Sequence, residues 1–229
     1  MVYVMSDVHG CYEKYRGMLR RIDFGEGDLL YMLGDVIDRE SGGIRVLLDM
    51  MERPNVIPFM GNHEYIMSTV LGNLNTCVSE EVARILKGVF RDWLDYDGGR
   101  PTYEAFRALS GEKQGRLMRY VGNFSVFDEI TVGGRTFFLS HAGICNFERD
   151  KPLTAYPPED FLEGRMDYGC RLFPDKTVIS GHTPTALIDP TRKGRILRLN
   201  GHIALDCGAA FGYPLGCLCL DTMEEFYVD

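Results

Sequence analysis

The sequence lacks any run of 18 apolar residues, so no segment reads as a membrane-spanning helix. Its opening, Met1-Val-Tyr-Val-Met-Ser-Asp7, has none of the basic charge that begins a secretory signal, and a cytoplasmic location is expected. Positive charge is scarce. Twenty-five Lys and Arg stand against 33 Asp and Glu, a formal balance of −8, which argues against a nucleic-acid or membrane-surface binder. Any anionic substrate must therefore be held by local charge, metal or arginine. Seven cysteines are scattered without a CxxC pair, so the expectation is small buried hydrophobes in a reducing compartment. Histidine is scarcer still, at five residues, and where those five lie matters most.

What remains is an ordinary globular composition: 45% apolar and 25% charged residues exclude a disordered or low-complexity chain. The 229 residues read as one domain, 1–229, large enough to bury a two-layer core without staples. The first third alternates short apolar strands (2–5, 29–33, 56–60) with helices (11–22, 44–51, and one from about Glu64), which predicts parallel strands joined by crossovers. Residues 79–120 are helical by pattern, broken at Asp97-Gly-Gly99. Strands follow: 124–132 and 135–139 around Gly133-Gly134, 195–199 and 202–205 around Asn200-Gly201, then 215–220 and 226–228. Both dipeptides suit tight hairpin turns. The class is α/β, with antiparallel strands added by the second half.

Four histidines sit in Gly- or Asp-flanked segments placed where strands end: Asp7-Val-His9-Gly10, Gly61-Asn62-His63-Glu64, Ser140-His141-Ala-Gly143 and Ser180-Gly181-His182. Gly34-Asp35-Val-Ile-Asp38-Arg39 is a fifth such segment. Strand C-terminal ends are where α/β proteins gather ligand sites. Asp7 and His9, two residues apart, would project to one side of an extended backbone and chelate one ion. Asp35 can bridge two cations through its two oxygens, and Asn62, His141 and His182 add a carboxamide oxygen and two imidazoles. Such a mixed N/O set suits Mn²⁺, Fe, Zn²⁺ or Co²⁺ better than Ca²⁺ or a thiolate-bound zinc. His202 lies outside these segments and reads as an exposed turn or strand-packing residue, and Met50, Met51, Met60 and Met67 read as core filler.

In this order the five segments resemble the calcineurin-like metallophosphoesterases, in particular the phosphoprotein phosphatase branch with its bacterial and phage members. The resemblance runs from Met5 to about Gly212 and takes in Trp93-Leu-Asp-Tyr-Asp-Gly-Gly99 followed by Thr102. It implies a four-layer α/β/β/α sandwich of two mixed sheets flanked by helices. By the same resemblance Asp7, His9 and Asp35 hold one divalent ion, and Asp35, Asn62, His141 and His182 hold a second, Mn being expected with Fe or Zn as alternatives. A hydroxide between the ions is then the nucleophile. His63 is the general acid, oriented by Asp38, and Arg39 and Arg165 clamp phosphate oxygens. The resemblance further implies a phosphomonoesterase acting on phosphoserine or phosphothreonine in proteins, with small phosphorylated molecules as other substrates.

Two departures bear on substrate. Met60 stands where the family has arginine before Gly-Asn-His-Glu, and Glu40 puts negative charge beside Arg39. The enzymatic rivals are a dinucleoside tetraphosphate hydrolase and a small-molecule phosphatase or phosphodiesterase of the same superfamily. In the bacterial tetraphosphatases alanine typically stands where this chain has Asp38, which favours the protein-phosphatase branch. A binding module without catalysis would have lost a ligand or His63, and none is missing.

Overall fold

The computed structural model describes residues 1–73 and 77–229. Strand β1 (Val2–Met5) leads through helix α1 (Tyr12–Arg21) to β2 (Leu29–Met32), and α2 (Gly43–Met51) carries the chain to β3 (Val56–Pro58). Four helices follow: α3 (Asn62–Gly72), α4 (Glu80–Asp95), α5 (Arg100–Arg107) and α6 (Gly111–Val121). The second half is β4 (Phe127–Val132), β5 (Arg135–Ser140), the one-turn α7 (Glu159–Leu162), β6 (Lys176–Ser180), the one-turn α8 (Thr185–Ile188), β7 (Leu197–Leu199), β8 (His202–Ala204), β9 (Leu215–Cys219) and β10 (Glu225–Val228). Among the described residues no helix is long and apolar enough to cross a membrane.

The strands form two mixed five-stranded sheets, ordered β10-β9-β1-β2-β3 and β4-β5-β6-β8-β7. In the first, β1, β2 and β3 run parallel, as the crossovers require, while β9 and β10 are antiparallel additions. Side-chain alternation sorts each strand between layers. Val4, Tyr31 and Leu218 from the first sheet meet Phe137, Leu139, Ile179 and Ile203 from the second in a core between the sheets. Tyr3, Met5, Leu30 and Met32 point the other way, onto α1–α6. Phe138 and Val178 face outward onto Tyr156, Phe161 and Tyr168 of a thinner cover built mostly of loop. The result is the four-layer sandwich, helices thick on one side and sparse on the other.

Both predicted hairpins form, with Gly133, Gly134, Asn200 and Gly201 all at positive φ. The cysteine expectation holds for three residues. Cys207, Cys217 and Cys219 are buried, whereas Cys77 and Cys170 are exposed and Cys11 and Cys145 half-buried. His202 is buried in β8, with Nε2 2.8 Å from the Cys170 carbonyl. Met50, Met60 and Met67 are in the core as expected, and Met51 is half-buried against it.

Phe137 lies in the inter-sheet core at 1% exposure. Phe137→Ala should cost about 3–5 kcal/mol by urea unfolding, the usual effect of an aromatic cavity. A loss below about 1 kcal/mol would mean that the two sheets are not held by this layer.

Candidate metal centre

Every candidate ligand lies just past the C-terminal end of a strand: Asp7 and His9 after β1, Asp35 and Asp38 after β2, Asn62 and His63 after β3, His141 after β5 and His182 after β6. At the convergence is the Asp35 carboxylate, 2% exposed. One oxygen lies 3.5 Å from His9 Nε2 and 3.8 Å from His63 Nε2, the other 3.4 Å from His141 Nε2. Asp7 Oδ1 is 3.9 Å from His9 Nε2. Asn62 Oδ1 sits between His141 Nε2 at 3.0 Å and His182 Nδ1 at 3.1 Å. Two donor clusters therefore share Asp35, one with His9 and His63, the other with His141 and His182.

The backbone reaches this arrangement through strain rather than extension. Asp7 and His9 do not sit on extended chain, as the two-residue spacing suggested; their φ values are +53° and +43°. Asp35, Asp38, Arg39 and His182 are also at positive φ. Left-handed residues without glycine cost free energy and collect at functional sites, where neighbours hold them. Here the main holder is Glu64, fully buried, whose carboxylate accepts the N–H groups of Asp35, Val36, Ile37 and Gly61 at 2.8–3.2 Å. A second tie runs from the His182 N–H to both oxygens of Asp7, at 3.1 and 3.0 Å. Gly61 and Gly181 let these carboxylates in: a Cβ on either would lie 2.3 Å from Asp35 Oδ1 or 1.9 Å from Asp7 Oδ2.

The histidines divide into two groups. His9 Nδ1 bonds the Ile37 carbonyl and His141 Nδ1 the Leu33 carbonyl, at 3.0 and 2.7 Å, so each aims the Nε2 lone pair at Asp35. Burial lowers His9 to about 3, His182 to about 4, and His141 as well. His63 is different: Nδ1 is 2.7 Å from Asp38 Oδ2. Burial alone would lower it, but Asp35 and Asp38 together raise it to about 9. Burial thus dominates in three imidazoles and the paired carboxylates in the fourth.

Asp38 explains the Trp93…Gly99…Thr102 segment, which the sequence gives no role. The Trp93 indole N–H donates to the same Asp38 Oδ2 at 2.7 Å, and the Asp38 N–H donates to Thr102 Oγ1 at 2.9 Å. Gly99 has no room for a side chain, since a Cβ would lie 2.3 Å from the Trp93 ring, and the Gly98 carbonyl accepts the Arg39 N–H. Helices α4 and α5 therefore anchor both Asp38 and the neighbouring arginine. Arg39 is exposed, its guanidinium 4.8 Å from the centre of the Phe211 ring. Arg165 is not drawn into this network; it is exposed, in a cleft with Arg149 and Arg171, and has no hydrogen bond among the described residues.

Asp206, after β8, adds a further buried carboxylate. Burial raises it to about 7, and burial followed by Asp206 and Asp35 raises Asp7 well above the carboxylate range. Asp35 goes the opposite way: burial would raise it, but His141, His63, His9 and His182 together hold it low. Three buried carboxylates beside imidazole lone pairs form an electron-rich cage that divalent cations would neutralise. Donor separations of 3.0–3.9 Å suit ligands held at about 2.1 Å from a common ion. The donors fit Mn²⁺, Fe or Zn²⁺.

The family model for calcineurin-like phosphoesterases matches residues 1–211. A symmetrical bis(5'-nucleosyl)-tetraphosphatase of Neisseria gonorrhoeae is 26% identical over 266 aligned positions, covering 97% of this chain and 93% of that protein. The same-named protein of Delftia acidovorans is 28% identical over 116 positions, 49% of this chain and 41% of that one. Among solved structures, one described as a candidate diadenosine tetraphosphatase superposes with a TM-score of 0.64 at 16% identity, over 99% of this chain and 92% of that one.

Glu64→Gln should destabilise the protein by about 3 kcal/mol or more, since an amide turns N–H groups toward donors that a carboxylate accepted. Denaturant unfolding measures this; a cost under about 1 kcal/mol would remove Glu64 as the holder of the Asp35 loop.

Proposed function

Because the chain belongs to the calcineurin-like phosphoesterase family, its site is that of a metal-dependent phosphoesterase, and we propose that the substrate is a dinucleoside tetraphosphate cut at its central anhydride into two nucleoside diphosphates. The relationship to the Neisseria tetraphosphatase, spanning nearly the whole of both proteins, carries this reading. It replaces the protein phosphatase expected from the motifs as the leading assignment.

In this reading Asp7, His9 and Asp35 hold one divalent ion and Asp35, Asn62, His141 and His182 the second, Mn²⁺ being the expected metal. Two cations there supply Lewis acidity to the phosphoryl oxygens and lower the pKa of a water toward neutrality. Arg39, steadied by Phe211 and by the Gly98 carbonyl, binds phosphate oxygens at the mouth. Arg165 does so from the cleft that it lines with Arg149 and Arg171. His63 holds its proton on Nε2 for the leaving oxygen, because Nδ1 is engaged by Asp38. Trp93 and Thr102 keep Asp38 in place.

The Asp38–His63 pair favours a second reading, hydrolysis of phosphoserine or phosphothreonine. A nucleoside diphosphate departs readily as an anion, whereas an alkoxide needs a proton, and a buried carboxylate–imidazole pair is built to give one. Chelator-treated enzyme should be inactive and should recover with Mn²⁺. With Mn²⁺ restored, kcat/KM for diadenosine tetraphosphate should exceed that for a phosphoserine peptide by about tenfold or more. The reverse order would install the second reading.

His63→Asn measures the acid directly. Alkyl phosphates should lose about 10²–10⁴-fold in turnover and p-nitrophenyl phosphate much less. Trp93→Phe should give a weaker version of that split. Equal losses on both substrates would remove the acid role.

A further inference from the structure

Beside the His141–His182 half of the site lies a cleft of about 550 Å³ whose lining includes Arg149, Arg165 and Arg171 against a single acid, Asp167. The volume is that of a small-molecule site. It adjoins the centre by construction. Its wall starts at Ile144, three residues past His141; the Ala142 and Cys145 N–H groups bond the carbonyls of Phe161 and Asp160; and Met166 packs so closely on Gly143 that a Cβ there would lie 2.5 Å from its sulfur.

The charge in this cleft is not spent within the protein. Neither Arg149 nor Arg165 has an ion pair or hydrogen bond among the described residues, and Arg171 has only its Nε–H on the Phe173 carbonyl at 2.7 Å. Asp167 forms no ion pair with them; its carboxylate is turned onto its own loop, accepting the Gly169 N–H and facing Cys170 Sγ. In a chain of net charge −8, three guanidiniums against one carboxylate on one concave surface are a local reversal of sign. Guanidinium is the side-chain group best matched to phosphate, through paired N–H donors and a permanent charge.

We propose that this cleft is an oligophosphate subsite, in which Arg149 and Arg171 extend the reach of Arg165 and bind the phosphates of the substrate that lie beyond the one attacked. A monoester, with its single phosphate at the metal centre, makes no use of it. A substrate with several linked phosphates is selected by it, and the departing fragment is held until it leaves. The proposal rests on the phosphoesterase reading of the adjoining centre and supplies that reading with a basis for preferring polyphosphates.

The test uses the Mn²⁺-loaded enzyme and p-nitrophenyl phosphate hydrolysis at fixed free Mn²⁺, with inorganic tripolyphosphate and orthophosphate as inhibitors. Wild type should bind tripolyphosphate at least about tenfold more tightly than orthophosphate, the effect of one or more added charge-assisted hydrogen bonds. In Arg149→Ala, and more so in Arg149→Ala/Arg171→Ala, this ratio should collapse toward one while p-nitrophenyl phosphate turnover stays within about twofold. An unchanged ratio in the double variant overturns the subsite. Failure of the tetraphosphate assignment reads out separately, as wild-type enzyme that does not cleave diadenosine tetraphosphate although the ratio still collapses.

Discussion

The structure depends on one buried carboxylate. Asp35 sits at 2% exposure with three imidazole nitrogens within 3.8 Å, and a charge so placed is tolerable only if its surroundings compensate it. Those surroundings come from five strand ends in both sheets, so the site exists only when the sandwich is closed. The left-handed backbone at Asp7, His9, Asp35 and His182, the missing side chains at Gly61 and Gly181, and the burial of Glu64 all serve that point of convergence.

Around it the protein separates two kinds of histidine by choosing the partner of Nδ1. A backbone carbonyl on Nδ1 fixes the His9 and His141 rings with Nε2 toward Asp35 while burial lowers their pKa, whereas Asp35 and the Asp38 carboxylate on Nδ1 raise that of His63. The same ring is thus set in two different environments within a few ångströms. Because Trp93 and Thr102 secure Asp38, helices α4 and α5, far from the strand ends in the chain, become part of the site.

Much of this was legible in the sequence. Strand–helix alternation predicted β1–α1–β2–α2–β3, and hairpin dipeptides placed β4–β5 and β7–β8, because period and turn chemistry are local properties. The metal candidates stood out because Asp, Asn and His are uncommon so close to apolar strand ends. Trp93, Thr102 and Asp206 carried no local signal of their role, since their partners lie in other elements: 55 and 64 residues separate Trp93 and Thr102 from Asp38. The extended geometry expected of Asp7 and His9 failed because tertiary ties override local preference at a strained site. The arginine cleft was invisible beyond Arg165, because the segment between His141 and β6 has no periodicity and its charges meet only in three dimensions. Substrate was the least legible property, as motifs shared across a superfamily specify chemistry before specificity.

If Asp35 is shared by two cation positions, the ion count shows it. Anomalous scattering from crystals grown with Mn²⁺, together with elemental analysis of the same protein, should give two ions per chain in wild type. Folded Asp35→Asn should lose occupancy at both positions, and Asp7→Asn at the His9 side alone. One ion in metal-saturated wild type, or two fully occupied ions in Asp35→Asn, would contradict the account.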